Sequence, residues 1–144
     1  MAYENVLTTI TLQSSQDMSG YQYRFVGLST LGYCSPTTAA ARLAGGVGQA
    51  VGILQDKTTA VYGPCKVAIS GISKLYCGDS SGTEAAGVLS YGTRITPSSG
   101  STGHGIAAVA AGSQITAFSL GAGPTSGAMG IIPVRITCLG LAGT

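Results

Sequence analysis

The stretch that decides the fold class is residues 65–76, which read CKVAISGISKLY. Cys65, Val67 and Ile69 alternate there with smaller or polar residues, and a period of two is typical of a half-buried β-strand. Gly71 interrupts this alternation, which predicts a bulge or bend before a second strand segment at 72–76. The middle of the chain is therefore predicted to be β-structure on both sides of this glycine.

Segments of similar character recur along the whole chain. The patterns predict loops at 78–82 and 97–105, local pairing at 88–95, and strands at 6–12, 21–28, 49–55, 65–70, 72–76, 106–109, 114–120 and 134–139. In the strand 21–28, Tyr21, Tyr23 and Phe25 are expected to share one face. Only 37–43 (TTAAARL) fits a helix, which would end before a glycine pair. Because no long amphipathic helix is visible, we expect an all-β chain.

Two parts of the chain resemble each other. QAVGILQ at 49–55 with VAI at 67–69 is echoed by QITAFSL at 114–120 with VRI at 134–136. Two quasi-repeated strand–loop–strand units suit a small β-barrel or β-sandwich-like domain and are too few for a solenoid. We expect their alternating residues to face one shared core, namely Val67, Ile69, Val134 and Ile136. The predicted organisation is a single domain at 21–144 preceded by an N-terminal arm or edge strand at 1–20.

The composition excludes several classes of protein. A chain of 144 residues fits one domain, and its net charge of +2 argues against a binder of nucleic acid or a polybasic membrane patch. No secretory signal peptide is recognised at the N-terminus, and no window approaches 18 consecutive apolar residues. Only 8% of residues are charged, against about 25% in typical domains. Such a surface suits a protein that is largely covered by neighbours.

Two short motifs resemble catalytic or cofactor-binding sequences. The string GDSSG at 78–82 places Ser80 in a hydrolase-like pattern, but such a serine needs a histidine and an orienting acid, and only His104 and Glu84 follow it. We predict a turn there. The string GHGIAA at 103–108 loosely matches a dinucleotide fingerprint, yet no acid follows Glu84 to bind a ribose. The sequence therefore predicts no catalytic residue, no cofactor and no enzyme.

The four cysteines do not form a metal-binding pattern. Cys34, Cys65, Cys77 and Cys138 contain no C-x-x-C pair, and the chain has a single histidine, so no zinc site is predicted. Since no export signal is recognised, we expect four free thiols that are mostly buried.

One aromatic cluster has two interpretations. Tyr21, Tyr23 and Phe25 lie close to Arg24 in sequence and would suit a stacking surface for sugars or bases. The same residues also fit a strand with one core face and one solvent face, which is the commoner arrangement for an arginine among aromatic residues. The sequence leaves both open.

The order of the β motifs resembles the capsid cement, or decoration, proteins of tailed bacteriophages. The matching segments, over roughly residues 45–138, are VGIL at 51–54, VAISGISK at 67–74, GTRIT at 92–96, AAVAAG at 107–112 and VRI at 134–136. The resemblance implies a compact all-β domain that is not an enzyme and that sits on the outer capsid surface of a virion made in the host cytoplasm. Its implied partners are the major capsid protein and further copies of itself, a trimer rather than a dimer.

The N-terminal segment is the predicted contact region. An edge strand is a docking template for another chain, and tyrosine and arginine are favoured at interface hot spots. We therefore select Tyr3, Tyr21, Tyr23 and Arg24 as candidate capsid or oligomer contacts, with core filling by Tyr21 and Tyr23 as the alternative. The alternative function is another oligomeric phage surface module, such as a fibre, spike or glycan-binding domain.

Overall fold

The structure is a computed structural model that describes residues 5–37, 49–78, 89–98, 102–108, 113–123 and 128–137. These residues form a 3₁₀-helix at Ser19–Tyr21 and nine strands: β1 Asn5–Gln13, β2 Phe25–Leu28, β3 Cys34–Pro36, β4 Ala50–Leu54, β5 Pro64–Cys77, β6 Arg94–Pro97, β7 Gly105–Ala107, β8 Ala117–Ser119 and β9 Gly130–Ile136. The predicted all-β class is confirmed. None of the described helical structure is long enough to cross a membrane.

Five strands close a small barrel. β5 pairs with β7, β7 with β6, β6 with β8, β8 with β9, and β9 returns to β5. The contact between β5 and β7 is parallel, and the other four pairings are antiparallel. The remaining strands extend from the first half of β5, with β1 paired to it directly and β4, β2 and β3 following in that order. Of the two predicted architectures, the barrel is correct.

The long strand β5 belongs to both halves of the molecule because Gly71 changes which side its residues face. Gly71 has a φ of 105°, and the register with β1 shifts twice between Ala68 and Gly71, as β-bulges require. Before it, Cys65 and Val67 lie in one hydrophobic cluster, whereas after it Leu75 and Cys77 lie in another. The predicted irregularity at this glycine is confirmed.

There are consequently two cores. The barrel core contains Phe25, Ile53, Ala68, Leu75, Cys77, Leu89, Ile95, Ala117, Ile132, Val134 and Ile136, among others. The outer cluster contains Met18, Val26, Cys34, Leu54, Cys65 and Val67, with Ile10, Leu12, Tyr21 and Ile69 packed against it. The expected single core shared by the two V-x-I strands is therefore wrong. The bulge puts Val67 and Ile69 outside the barrel, whereas Val134 and Ile136 face its interior.

The two quasi-repeated units pair in the same way. β4 and β5 are antiparallel with Leu54 opposite Val67, and β8 and β9 are antiparallel with Ser119 opposite Val134. Within each unit, the two strands thus pair through equivalent positions of the repeat. The predicted strand–loop–strand repeat is confirmed.

Two local predictions have different outcomes. The strand expected at 21–28 begins only at Phe25, because the 3₁₀-helix occupies Ser19–Tyr21 and Tyr23 adopts a φ of 60°. Residues 38–43 of the expected helix lie outside the described residues.

Candidate functional site

Three of the four predicted contact residues lie where the 3₁₀-helix leads into β2. Tyr21 is the last residue of the helix, and Tyr23 and Arg24 lie in the turn that follows it. Tyr3 lies outside the described residues. The Tyr23 amide donates to the Leu54 carbonyl at 2.8 Å, and the Tyr76 amide donates to the Tyr23 carbonyl at 2.7 Å. The positive φ of Tyr23 is uncommon for a residue other than glycine, and such a conformation persists where its surroundings fix it. The turn therefore holds Tyr23 in one position.

Arg24 lies between two tyrosines. The centre of its guanidinium is 5.3 Å from the ring centroid of Tyr21 and 5.5 Å from that of Tyr76, within the range of cation–π attraction. One guanidinium nitrogen donates a long hydrogen bond of 3.3 Å to the Thr102 carbonyl. Its Nε is shielded from solvent and has no hydrogen-bond partner among the described residues. The guanidinium is thus oriented mainly by aromatic faces and keeps donors for a further acceptor.

A second cation lies over the third tyrosine of this group. The Lys74 ammonium is 5.2 Å from the ring centroid of Tyr23. Lys74 and Tyr76 are two residues apart on β5 and therefore point to the same face of the strand. Sequence analysis missed both residues as parts of this site, although their spacing is a signal for a shared face.

A cavity of about 260 Å³ opens beside Tyr23 on the outside of the barrel. It is lined by Ser19, Gly20, Gln22, Tyr23, Arg24, Lys57, Tyr76 and Ile131, which we call the Arg24 pocket. Tyr76 and Ile131 lie directly opposite each other on β5 and β9, and Lys57 comes from the connection between β4 and β5. Among the described residues, the lining has two cationic side chains and no carboxylate, so this lining favours an anionic group.

The tyrosines divide between the two interpretations that the sequence left open. Tyr21 packs against the outer cluster as well as against Arg24, so it does contribute to a core. Tyr23 lines the pocket instead, and Phe25 is fully buried in the barrel core. The three aromatic residues do not share one face, because Tyr21 and Tyr23 precede the strand.

His104 packs inside the protein and does not lie in a cofactor-binding loop. It is buried, its ring lies 5.0 Å from that of Tyr76, and its Nδ1 is 3.1 Å from the Gly78 carbonyl. The glycine that follows it, Gly105, begins strand β7, whereas a dinucleotide fingerprint requires a helix at this point. Ser80 and Glu84 lie outside the described residues.

The described cysteines are free and buried, namely Cys34, Cys65 and Cys77. Burial, with a contribution from the adjacent Cys65 thiol, raises the pKa of Cys34 to about 12. Burial also raises the pKa of Cys65 and of Cys77. Because the thiolate is the reactive form, these thiols are poor nucleophiles in the folded protein. Cys138 lies outside the described residues.

A separate apolar surface lies on the extra strands. Tyr33 ends the β2–β3 connection and Tyr62 lies before β5, and their rings are 5.2 Å apart. Leu28, Leu31, Val61 and Tyr62 are all exposed; together with Tyr33 they form what we call the hairpin patch. Tyr62 has a φ of 62°, and its amide donates to the Ser14 carbonyl at 3.0 Å. Sequence analysis predicted no surface there.

Strand β1 is an edge of the sheet in the part of the chain that is described. It pairs with β5 from Asn5↔Ile72 to Gln13↔Pro64, and no other strand pairing is described for it. Thr9, Thr11 and Gln13 are exposed, while Ile10 and Leu12 pack on the outer cluster. Among the described residues, the strand thus has one face in a core and one edge with no strand beside it.

Comparison with known proteins identifies no relative of this chain. No protein-family model matches the sequence, and no curated protein or solved structure is significantly similar. Among the described residues, no group of three histidine, cysteine, aspartate or glutamate side chains is placed to hold a metal ion.

Proposed function

We propose that this chain is a structural virion protein that binds the outer surface of an assembled tailed-phage capsid and cements it by bridging subunits of the major capsid protein. The observation that carries the proposal is the exterior of the barrel domain, where Leu31 is 79% exposed, Tyr91 78% and Tyr62 59%. A few exposed apolar side chains are ordinary in any protein. Here they occur in a chain with only 8% charged residues, which suits a surface that neighbours cover.

The order of the β motifs gives independent support. It resembles that of tailed-phage cement proteins along most of the chain, and the all-β barrel agrees with the fold which that resemblance implies. The hairpin patch and the free edge of β1 offer two kinds of contact. Tyrosine-rich patches supply large rigid areas for burial, and a free strand edge supplies backbone donors and acceptors.

Such a protein would stabilise a shell by mass action. A molecule that binds the assembled lattice and not its separated subunits adds its binding free energy to the stability of the lattice at every occupied site. A symmetric oligomer, for which we propose a trimer, reaches several capsid subunits at once. Each further contact then forms at a high effective concentration, so individually weak contacts suffice.

The test uses shells of the phage that encodes this chain, prepared without it. Adding the purified protein should raise the temperature at which shells break open, in a manner that saturates with concentration. Tyr62→Asn, which keeps a residue that tolerates the left-handed backbone, should weaken this effect. Thr59→Ala, an exposed neighbour in the same loop, should not. Shells whose disruption temperature does not respond to the protein would contradict the proposal.

The second candidate is an oligomeric phage surface module that binds glycans. One observation favours it, namely the Arg24 pocket, in which tyrosine rings and cations line a small open cavity. A protein of this kind would bind sugars and would show no affinity for shells.

A further inference from the structure

We propose that the Arg24 pocket is a docking site for a carboxylate side chain on an extended segment of a partner protein, an aspartate or glutamate with an apolar residue beside it. That the partner is a capsid subunit rests on the proposed function. The carboxylate specificity of the pocket does not.

The first argument is the local excess of positive charge. Two of the seven basic residues of the chain, Arg24 and Lys57, line the pocket beside Tyr23. Of the described acids, Asp56 directly precedes Lys57 but accepts a hydrogen bond of 2.9 Å from the Lys66 amide, and Asp17 accepts one of 2.8 Å from the Ser19 amide. Neither of them lines the pocket. Like charges gathered in a charge-poor protein have an unfavourable interaction that an anion would relieve.

The second argument is that the arginine is already oriented. Two tyrosine rings and the Thr102 carbonyl hold the guanidinium in place, so less side-chain entropy is lost when it binds. Its Nε is desolvated without a described partner, and the planar group retains donors in the geometry that matches a carboxylate. Arginine positioned in this way binds a planar acid more strongly than a free surface arginine does.

The third argument concerns the size of the site and its rim, and it selects a protein over a free small molecule. A cavity of about 260 Å³ is below the usual range of about 300–1,000 Å³ for pockets that enclose a whole ligand. It therefore suits one side chain of a larger partner. Ile131 lines the pocket and is 45% exposed, and Met129, which precedes it by two residues, is 46% exposed. This apolar rim beside two cations fits an acidic residue followed by an apolar one.

The test begins with the purified full-length chain and two synthetic peptides, acetyl-Gly-Glu-Leu-Gly-amide and its Gln counterpart. NMR shifts of the Arg24 Nε–H and of the Tyr23 and Tyr76 amides should move saturably with the Glu peptide and weaken at high salt. The Gln peptide should bind at least roughly tenfold more weakly than the Glu peptide. Equal shifts with both peptides, or none with either, would overturn the proposal. Tighter binding of glucuronic acid than of the Glu peptide would overturn it in favour of an acidic sugar.

Variants of the pocket test whether it takes part in shell binding. Arg24→Gln should lower affinity for the Glu peptide and for shells by roughly tenfold or more. Lys57→Gln, at an exposed position on the pocket, should act in the same direction without removing packing contacts of Arg24. Lys66→Gln, an exposed cation elsewhere on β5, is the matched control and should change neither affinity. Unchanged shell binding by both pocket variants would overturn this inference while leaving the cement function intact. If the unmodified chain binds no shells, the proposed function fails, and the peptide titration alone decides the pocket.

Discussion

Shortening Leu75 to alanine should destabilise the protein by about 3–5 kcal/mol, the upper part of the range for buried leucines. Leu75 has no exposed surface, and it packs so closely on the wall of the barrel that a Cβ on Gly105 would lie only 2.7 Å from its Cδ2. The wall consists of strands joined in a closed ring. Because such a ring cannot move inward easily, the cavity left by the substitution should stay open.

Substitutions at less buried positions of β5 show how much of this loss depends on burial. Ile69 is only partly buried on the outer cluster, so Ile69→Ala should cost about 1–2 kcal/mol. Lys66 is exposed, and Lys66→Ala should cost less than about 1 kcal/mol. Urea unfolding followed by circular dichroism or tyrosine fluorescence measures all three, since the chain has no tryptophan.

Pairs of substitutions test the change of face at Gly71. Leu75 and Ile132 face each other across β5 and β9 in the barrel core, so Leu75→Ala and Ile132→Val should couple by about 0.5 kcal/mol or more. Leu75 and Val67 belong to different clusters, so Leu75→Ala and Val67→Ala should add to within about 0.5 kcal/mol. The reverse result, coupling with Val67 and additivity with Ile132, would refute the two-core account.

The remaining predictions concern the buried thiols and a glycine of the barrel wall. Alkylation under denaturing, non-reducing conditions should modify all four cysteines, Cys138 included, and an intact mass with fewer adducts would reveal a disulfide. Because burial raises the pKa of Cys34 from 9.0 to about 12, this thiol ionises first in the unfolded chain. Between pH 9 and pH 12, ionisation of Cys34 should therefore lower the free energy of unfolding by about 1.4 kcal/mol per pH unit. Urea titrations of Cys34→Ala at several pH values should lack this contribution to the slope. Equal slopes for the variant and the unmodified protein would contradict the assignment. Gly105→Ala should lower the free energy of unfolding by about 1–3 kcal/mol, because the added methyl group overpacks against Leu75. Gly20→Ala, whose methyl group would meet open space, should change it by less than about 0.5 kcal/mol. Equal losses for the two variants in thermal unfolding would contradict the close packing of Gly105 on Leu75.

Local alternation predicted where β5 lies, and the interruption at Gly71 predicted its bulge. The sequence pattern could not predict which of the two cores each half of β5 faces. A period of two defines the two sides of a strand only up to the next irregularity, and a one-residue bulge exchanges them. The assignment of Val67 and Val134 to different cores depends on which strands lie beside them, and that is long-range information.

The candidate site shows the same limit. Their chemistry makes Tyr21, Tyr23 and Arg24 candidates, and the structure brings them together where the 3₁₀-helix leads into β2. Their alternation suggested a strand, but backbone hydrogen bonds from β4 and β5 hold Tyr23 in a left-handed conformation instead. Tyr76 and Ile131 join the pocket only through the register of β5 with β9, and no local pattern in the sequence contains that register.

The most direct test of the proposed function is to count copies of this chain in purified virions. Quantitative mass spectrometry of particles banded on a density gradient and washed at high salt would give its ratio to the major capsid protein. The cement account predicts a fixed ratio, reproducible between preparations, that corresponds to full occupancy of a repeated site on the shell. Virions that contain none of the chain, or only a small and variable amount removed by washing, would contradict it.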